Sequence, residues 1–185
     1  WKDFLEGRKN QFLLYTYDTN FHHFFYNFNN FDTFREQAAQ YAEQGVDFIH
    51  SQGANTTNQP CFQEMRYFVE SQILWDTSKN YDDLVNEFMA HFYKDAAEEI
   101  RMYYDLTRMR YEQASVLNGM SYTTDIYSNI GDSDIWTEGV VDQIDRIFKK
   151  AYEKIDHYKT EDVDMYEKLY NRIKELELTM TYTKL

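Results

Sequence analysis

Helix-breaking residues are unusually rare in this chain, and their scarcity constrains the fold more than any other feature. The 185 residues include one Pro and six Gly, whereas average usage would give roughly nine and thirteen. Turn-rich β-sandwiches, collagen-like repeats and Pro/Gly-rich disordered chains need more of both, so the sequence favours long helices. The length allows one substantial hydrophobic core, but a complete β/α barrel needs about 250 residues, or at least about 200.

The charge balance and the single cysteine narrow the class further. With 32 acidic and 19 basic residues the net charge is −13, which argues against nucleic acid and anionic lipid as partners. Cys61 has no second cysteine for an internal disulfide. No apolar run approaches the ~18 residues of a membrane span, so we expect no membrane insertion. The chain begins at Trp1 without a visible signal peptide, and we expect further chain upstream.

Strands and helices are predicted to alternate at the start of the chain. Residues 12–17 form a short, nearly continuous apolar run, which is typical of a strand buried on both faces. Thr33 and Glu36 make a capping-box pair, which predicts a helix with Thr33 as N-cap that ends at Gly45. Residues 46–50 form the second predicted strand, and the next helix is predicted to start near Pro60.

This order predicts that polar side chains from two loops meet. Parallel strands joined through a helix cross over with a right hand, so both carboxyl ends lie at one edge of the sheet. Ligand sites of α/β folds occupy that edge. We therefore expect a cluster of polar groups there, formed by Asp18, His22, His23, Gln52 and Asn55.

After Trp75 the apolar spacing is helical, and no strand pattern is convincing after residue 60. The predicted apolar stripes pass through Leu84, Ile100, Ile144 and Leu169. Residues 118–134 are polar and are predicted to form a loop. A short α/β segment is thus followed by an all-helical one.

The candidate site residues each have a plain structural alternative. Asp18 closes a predicted buried strand, where it is either a binding group or a turn aspartate that bonds its own backbone. His22 and His23 are adjacent in extended chain and point to opposite faces, so we do not expect them to share a metal ion. One of them is a candidate contact in a cleft, and ordinary loop packing is the alternative. Glycoside hydrolysis needs two carboxyls, and Asp18 has no obvious partner nearby in sequence.

Motifs for metals and cofactors are lacking. Asp132-Ser133-Asp134 resembles the start of a calcium loop, but Thr137 and Gln143 stand where an EF-hand requires Gly and Glu. The chain has no P-loop, dinucleotide-binding or nucleophile-elbow pattern. We therefore predict neither a metal nor a cofactor.

Aromatic residues are abundant, with 17 Tyr, 14 Phe and 3 Trp. One interpretation is a Tyr-rich helical core, in which each buried hydroxyl needs a partner. The other is a set of ring platforms for a flat ligand such as a sugar, with Tyr17 and Phe21 as the nearest candidates to the predicted cluster.

Several short segments together resemble a bacterial protein family, domain-of-unknown-function family 4838. The similar segments, over about residues 10–110, are Leu14-Tyr15-Thr16-Tyr17-Asp18, Asn20-Phe21, Phe28-Asn29-Asn30-Phe31, Gly45-Val46, Gln52-Gly53, Phe62-Gln63-Glu64-Met65-Arg66-Tyr67, Ile73-Leu74-Trp75-Asp76, Leu84-Val85-Asn86-Glu87-Phe88, Phe92-Tyr93 and Ala96-Ala97. Lys94 departs from the pattern, because Gly is usual there. The family is related to α-glucuronidase-like glycoside hydrolases, and its members resemble large secreted or cell-surface proteins.

The resemblance implies an α-rich α/β fold, in which residues 12–17 and 46–50 are the last two strands of a (β/α)8 (TIM-type) barrel. Residues 1–75 would be the C-terminal part of that barrel, and residues 76–185 a helical extension. The implied function is the C-terminal portion of a glycoside-hydrolase-like protein that acts on or binds a poly- or oligosaccharide. Its catalytic acid would lie upstream of Trp1.

In this hypothesis one wall of the sugar cleft is formed by Asp18, His22, His23 and Gln52, with Tyr17 or Phe21 as a stacking surface. Two alternatives remain open. The chain is either a non-catalytic carbohydrate-binding module or a helical structural or interaction domain.

Overall fold

The computed structural model describes residues 6–7, 11–54, 61–118, 126–127 and 135–184. Two short strands and several long helices make up these ranges. In chain order they are β1 (Leu13–Tyr17), α1 (Phe31–Glu43), β2 (Phe48–Gln52), α2 (Gln63–Trp75), α3 (Tyr81–Tyr93), a 3-10 turn (Lys94–Ala96), α4 (Ala97–Asn118), α5 (Glu138–Ile155), α6 (Tyr158–Glu161) and α7 (Val163–Thr183).

The two strands pair in parallel, as the sequence predicts. The register runs from Leu13 opposite Phe48 to Tyr17 opposite Gln52. Along β1, exposed side chains alternate with half-buried ones, because successive residues of a strand point to opposite faces. The prediction of a strand buried on both faces is therefore wrong. One face of this sheet is open to solvent.

Helices α1 and α2 cover the other face of the sheet. Ile49 of β2 lines a groove together with Ala38 of α1 and Leu74 of α2. Helix α1 begins at Phe31, after Asn30, so the prediction of Thr33 as N-cap is wrong. Phe31 is buried against Phe62 and Tyr104 in the core, and we infer that this packing favours the earlier start.

The helix ends as predicted, near Gly45. The backbone of Gly45 has φ +73°, a left-handed conformation that suits the residue after a helix and that glycine adopts without strain.

The remaining helices pack around one hydrophobic core. Each predicted apolar stripe is buried on its helix, including Leu84, Ile100, Ile144 and Leu169. Rings fill the centre, where Tyr103 lies 5.6 Å from Phe62 and 4.9 Å from Phe148 between ring centres. Much of the aromatic content thus serves ordinary core packing.

The fold is an α-rich helical one, and the interpretation of the chain as part of a (β/α)8 barrel is wrong. Within the described ranges the sheet has two strands, with no series of strand–helix units. After α2 the chain turns at Asp76–Ser78 and enters α3, whose first turn is capped by Asn80 through the Asp83 N–H at 3.0 Å. Helix follows helix from there because the apolar spacing stays helical.

Candidate functional site

The carboxyl ends of both strands meet at one edge of the sheet, around Asp18. The Asp18 N–H donates to the Gln52 carbonyl at 2.9 Å, and the Asp18 side chain is buried. Its carboxylate accepts hydrogen bonds from Asn30 Nδ2 at 2.6 Å and from Ser51 Oγ. Asp18 therefore ties β1 to β2 and to the start of α1.

A buried arginine is linked to this carboxylate through Asn30. Arg66 of α2 donates to the Asn30 side-chain oxygen and to the Phe28 carbonyl, and its Nε–H donates to the Cys61 carbonyl at 3.5 Å. Its side chain is only 4% exposed. A desolvated charge needs such partners, and these hold the guanidinium in one place.

A second buried carboxyl group, Glu70 of α2, lies against Asp18. It is hydrogen-bonded to both Ser51 and Asp18, and the pKa of Glu70 is raised to about 8. Burial is the main cause and the charge of Asp18 adds to it, while Arg66 acts in the opposite direction. The protonated form of Glu70 is therefore favoured beside Asp18.

Sequence reasoning missed Glu70 and Arg66. One signal was available, because both lie on the same side of α2 as Met65, Val69 and Ile73, which are buried. Charged residues on the apolar side of a predicted helix indicate a buried polar cluster. We call Asp18, Ser51, Arg66 and Glu70 the carboxyl cluster.

A cleft of about 340 Å³ opens beside the carboxyl cluster. Asp18 and Asn30 line it together with Gln37 and Tyr41 of α1, and Phe28 and Phe34 supply apolar wall. The Tyr41 hydroxyl donates to Gln37 Oε1, and the pKa of Tyr41 is raised by burial and by the charge of Asp18. The cleft thus combines hydrogen-bonding groups with apolar surface, as small-molecule sites do.

A row of rings, which we call the aromatic strip, extends from this edge over the open face of the sheet. Its members, in spatial order, are His50, Tyr15, Tyr17, Phe21, Tyr127 and His22. Successive ring centres lie 4.5, 5.2, 5.7, 5.9 and 5.2 Å apart. Tyr15, Tyr17 and Tyr127 are exposed by 47%, 39% and 57%. A contiguous exposed apolar surface of this kind indicates a binding site.

The structure places the predicted site residues in three different settings. Asp18 lies in the cleft, while Tyr17 and Phe21 belong to the aromatic strip. Gln52 lies beside the strip, where its Oε1 accepts a hydrogen bond from the Tyr15 hydroxyl at 2.6 Å.

His22 and His23 lie in different surroundings. His22 is exposed at the far end of the aromatic strip, whereas His23 Nδ1 lies 2.6 Å from the Tyr182 hydroxyl of α7. His23 thus connects its loop to α7 and does not face the cleft. Within the described ranges no three His, Cys, Asp or Glu side chains are arranged to hold a metal ion.

Four predictions lie wholly or largely outside the described residues. They concern Asn55, Pro60, the segment Asp132-Ser133-Asp134 and the loop over residues 118–134. Of the helices that are described, none has the length and apolar character required to cross a membrane.

Comparison with known proteins identifies a family for most of this region. Residues 7–105, more than half of the chain, match the family model described as Domain of unknown function (DUF4838). The match begins before β1 and ends within α4, so it includes the carboxyl cluster and most of both the cleft lining and the aromatic strip. The relationship to α-glucuronidases is not part of this match and stays a prediction. No curated protein and no solved structure matches the chain.

Proposed function

The chain belongs to the DUF4838 family, and on that premise we propose that it binds a poly- or oligosaccharide at the open face of its sheet. The aromatic strip is the observation that carries this proposal. Its rings offer flat apolar surface, while the Tyr hydroxyls and the Gln52 amide provide hydrogen-bonding groups beside it. A sugar has the matching pattern of apolar faces and hydroxyl edges.

The cleft extends the proposed site. It adjoins the strip at Tyr17, which lines both. The polar groups of Asp18, Asn30, Gln37 and Tyr41 line the cleft, which suits one sugar unit, while the strip supports its neighbours. A location outside the bacterial cell or on its surface is part of the same proposal.

Binding is favoured over hydrolysis. Glycosidases hold their two carboxyl groups about 5–5.5 Å or about 6.5–9.5 Å apart, so that the scissile bond lies between them. Asp18 and Glu70 are instead hydrogen-bonded to each other. They leave no room for a glycosidic bond, so this pair is not arranged as a glycosidase pair.

Calorimetric titration of oligosaccharides into the chain tests the proposal. We expect binding by the wild type and a loss of about tenfold in affinity for Tyr15→Ala/Tyr17→Ala, since each ring contact is worth about 0.5–1.5 kcal/mol. Trp75→Ala is the matched control, because Trp75 is 91% exposed and is not a member of the strip. Equal binding by all three proteins, or no binding by the wild type to any glycan tested, would contradict the proposal.

A protein-docking surface is the second candidate function. Leu13 and Phe48 are paired across the strands beside the strip and are 56% and 50% exposed. These side chains have no hydrogen-bonding groups and suit an apolar protein contact better than a sugar. If Leu13→Ser/Phe48→Ser leaves the sugar affinity unchanged while Tyr15→Ala/Tyr17→Ala abolishes it, the sugar site is separate from this apolar pair.

A further inference from the structure

Two buried carboxyl groups, Glu70 of α2 and Asp18 at the end of β1, are 7% and 3% exposed and lie together at the edge of the sheet, where Ser51 of β2 donates to Asp18. We propose that one shared proton between these carboxyl groups closes this edge of the sheet, so that its removal detaches α2 from β1 and β2. The inference goes beyond sugar binding and concerns the protein in the absence of ligand.

The groups around Glu70 show why one proton matters. Asp18 faces it from the end of β1, Ser51 from β2 and Arg66 from its own helix. With Glu70 protonated, one carboxylate lies near one guanidinium. When the proton is lost, the described residues around Glu70 offer the second buried carboxylate no cation besides Arg66, and uncompensated buried charge is strongly destabilising.

The other titratable groups nearby do not supply that cation. Tyr41 of α1 and Tyr81 of α3 face the cluster, and the pKa of each is raised, mainly by burial. Cys61 precedes α2, and burial raises the pKa of its thiol. All three are neutral at moderate pH and would become anions if they lost a proton, so they cannot compensate an ionised Glu70.

Little space is available to hydrate an ionised Glu70 in the closed structure. A cavity of about 10 Å³ lies beside it, lined by Asn30, Phe34, Arg66 and Tyr81 among others. This volume is at the lower limit for a single water molecule. Hydration of the carboxylate therefore requires that α2 move away from the strands.

The direction of the pH effect follows from the two states. In the closed state the pKa of Glu70 is about 8, against an ordinary value of 4.5. An opened, hydrated Glu70 returns towards that ordinary value. At pH values between these two pKa values, the closed state binds one more proton than the open state. The opening equilibrium constant therefore increases as the pH rises, and it stops increasing above about pH 8.

Amide hydrogen exchange of the ligand-free protein tests the inference. At each pH, the exchange rates of the amides near Asp18 and Gln52 are compared with those of the amides of α5 in the same molecule. This comparison corrects for the pH dependence of the chemical exchange step. For the wild type we expect the opening equilibrium at the sheet edge to rise about tenfold per pH unit between about pH 5.5 and pH 7.5, relative to α5.

Two variants complete the experiment. Glu70→Gln keeps the size and a hydrogen-bond donor without a titratable proton, so its relative opening should not change with pH. Glu64→Gln, at an exposed position in the first turn of the same helix, should behave like the wild type. A pH-independent wild type, or a Glu70→Gln protein with the wild-type pH dependence, would overturn the inference.

If Glu70→Gln does not fold, carbon NMR of the wild-type Glu70 carboxyl provides the second measurement. A midpoint near the ordinary Glu value would overturn the inference, and a midpoint raised by several units would support it. Neither experiment contains sugar, so their outcome is separate from that of the oligosaccharide titration.

Discussion

The guanidinium carbon of Arg66 lies 3.8 Å from the centre of the Phe31 ring, and both side chains are almost fully buried. The helix that carries Arg66 is thus fixed to the first turn of α1 by a charged group within the core. The same guanidinium donates to Asn30, which in turn donates to Asp18. One side chain therefore links the helical core to the candidate site.

Loss of this arginine should be costly. We expect Arg66→Met to lower the free energy of unfolding by about 3–5 kcal/mol, because it leaves the Asn30 and Phe28 oxygens without their donor and removes the cation beside Glu70. Urea unfolding followed by circular dichroism measures the change. Arg35→Met is the control, since the Arg35 side chain is 43% exposed in its 3.0 Å pair with Asp82 and should contribute less than about 1 kcal/mol. Similar losses in the two variants would contradict the expectation.

The free energy of unfolding should depend on pH because of the raised pKa of Glu70. Its pKa is raised on folding to about 8 from 4.5, so its stabilising contribution is fully present below about pH 4.5 and is lost as the pH rises towards 8. Urea unfolding of the wild type minus that of Glu70→Gln isolates this contribution. We expect the difference to fall by about 1.4 kcal/mol per pH unit between about pH 5.5 and pH 7.5. A difference that stays constant, or rises with pH, would show that Glu70 does not hold its proton in the folded protein.

Replacing Lys94 with glycine should stabilise the folded protein. Lys94 follows α3 with φ +51° and ψ −123°, a conformation that glycine adopts readily and that costs a residue with a Cβ about 1–3 kcal/mol. We expect Lys94→Gly to raise the free energy of unfolding by about 1 kcal/mol, measured by thermal or urea unfolding. Lys94→Ala keeps a Cβ and removes the same charge, so it should show no comparable gain. A stabilised alanine variant would point to the charge and not to the backbone conformation.

The charge of the site predicts which sugars bind. Asp18 lines the cleft, and the whole chain carries a net charge of −13, so uronic-acid units are disfavoured by repulsion. We expect neutral oligosaccharides to bind more tightly than uronic-acid-containing ones of equal length, with a gap that narrows as salt is added. Calorimetric titrations at low and high ionic strength measure this gap. Tighter binding of the acidic series would place the sugar away from Asp18.

The positions of the strands and helices were predictable, because the spacing of apolar residues directly indicates the type of secondary structure. The parallel pairing of residues 13–17 with 48–52, the end of α1 near Gly45 and the stripes of the later helices all follow from that spacing and from turn chemistry. The proximity of Asp18 to the second strand follows in the same way from topology alone.

The same signals could not distinguish part of a barrel from the two-stranded unit that the structure shows. A strand–helix–strand–helix order is shared by barrels and by much smaller units, so the resemblance supplied the extra strands that the described chain does not contain. Arg66 and Glu70 escaped notice because charged residues on helices are usually solvated, and only tertiary packing decides which of them are enclosed. The aromatic strip was missed as a unit because Tyr127 reaches it from a distant part of the sequence.

The open edges of the two-stranded sheet affect the solubility of the protein. Within the described ranges neither strand has a neighbour on its outer side, and unpaired strand edges are templates for pairing with another copy. Mutual repulsion from the net charge of −13 keeps copies apart at neutral pH. That protection disappears as the solution approaches the isoelectric point near pH 4.7, where we expect the solubility of the protein to pass through its minimum.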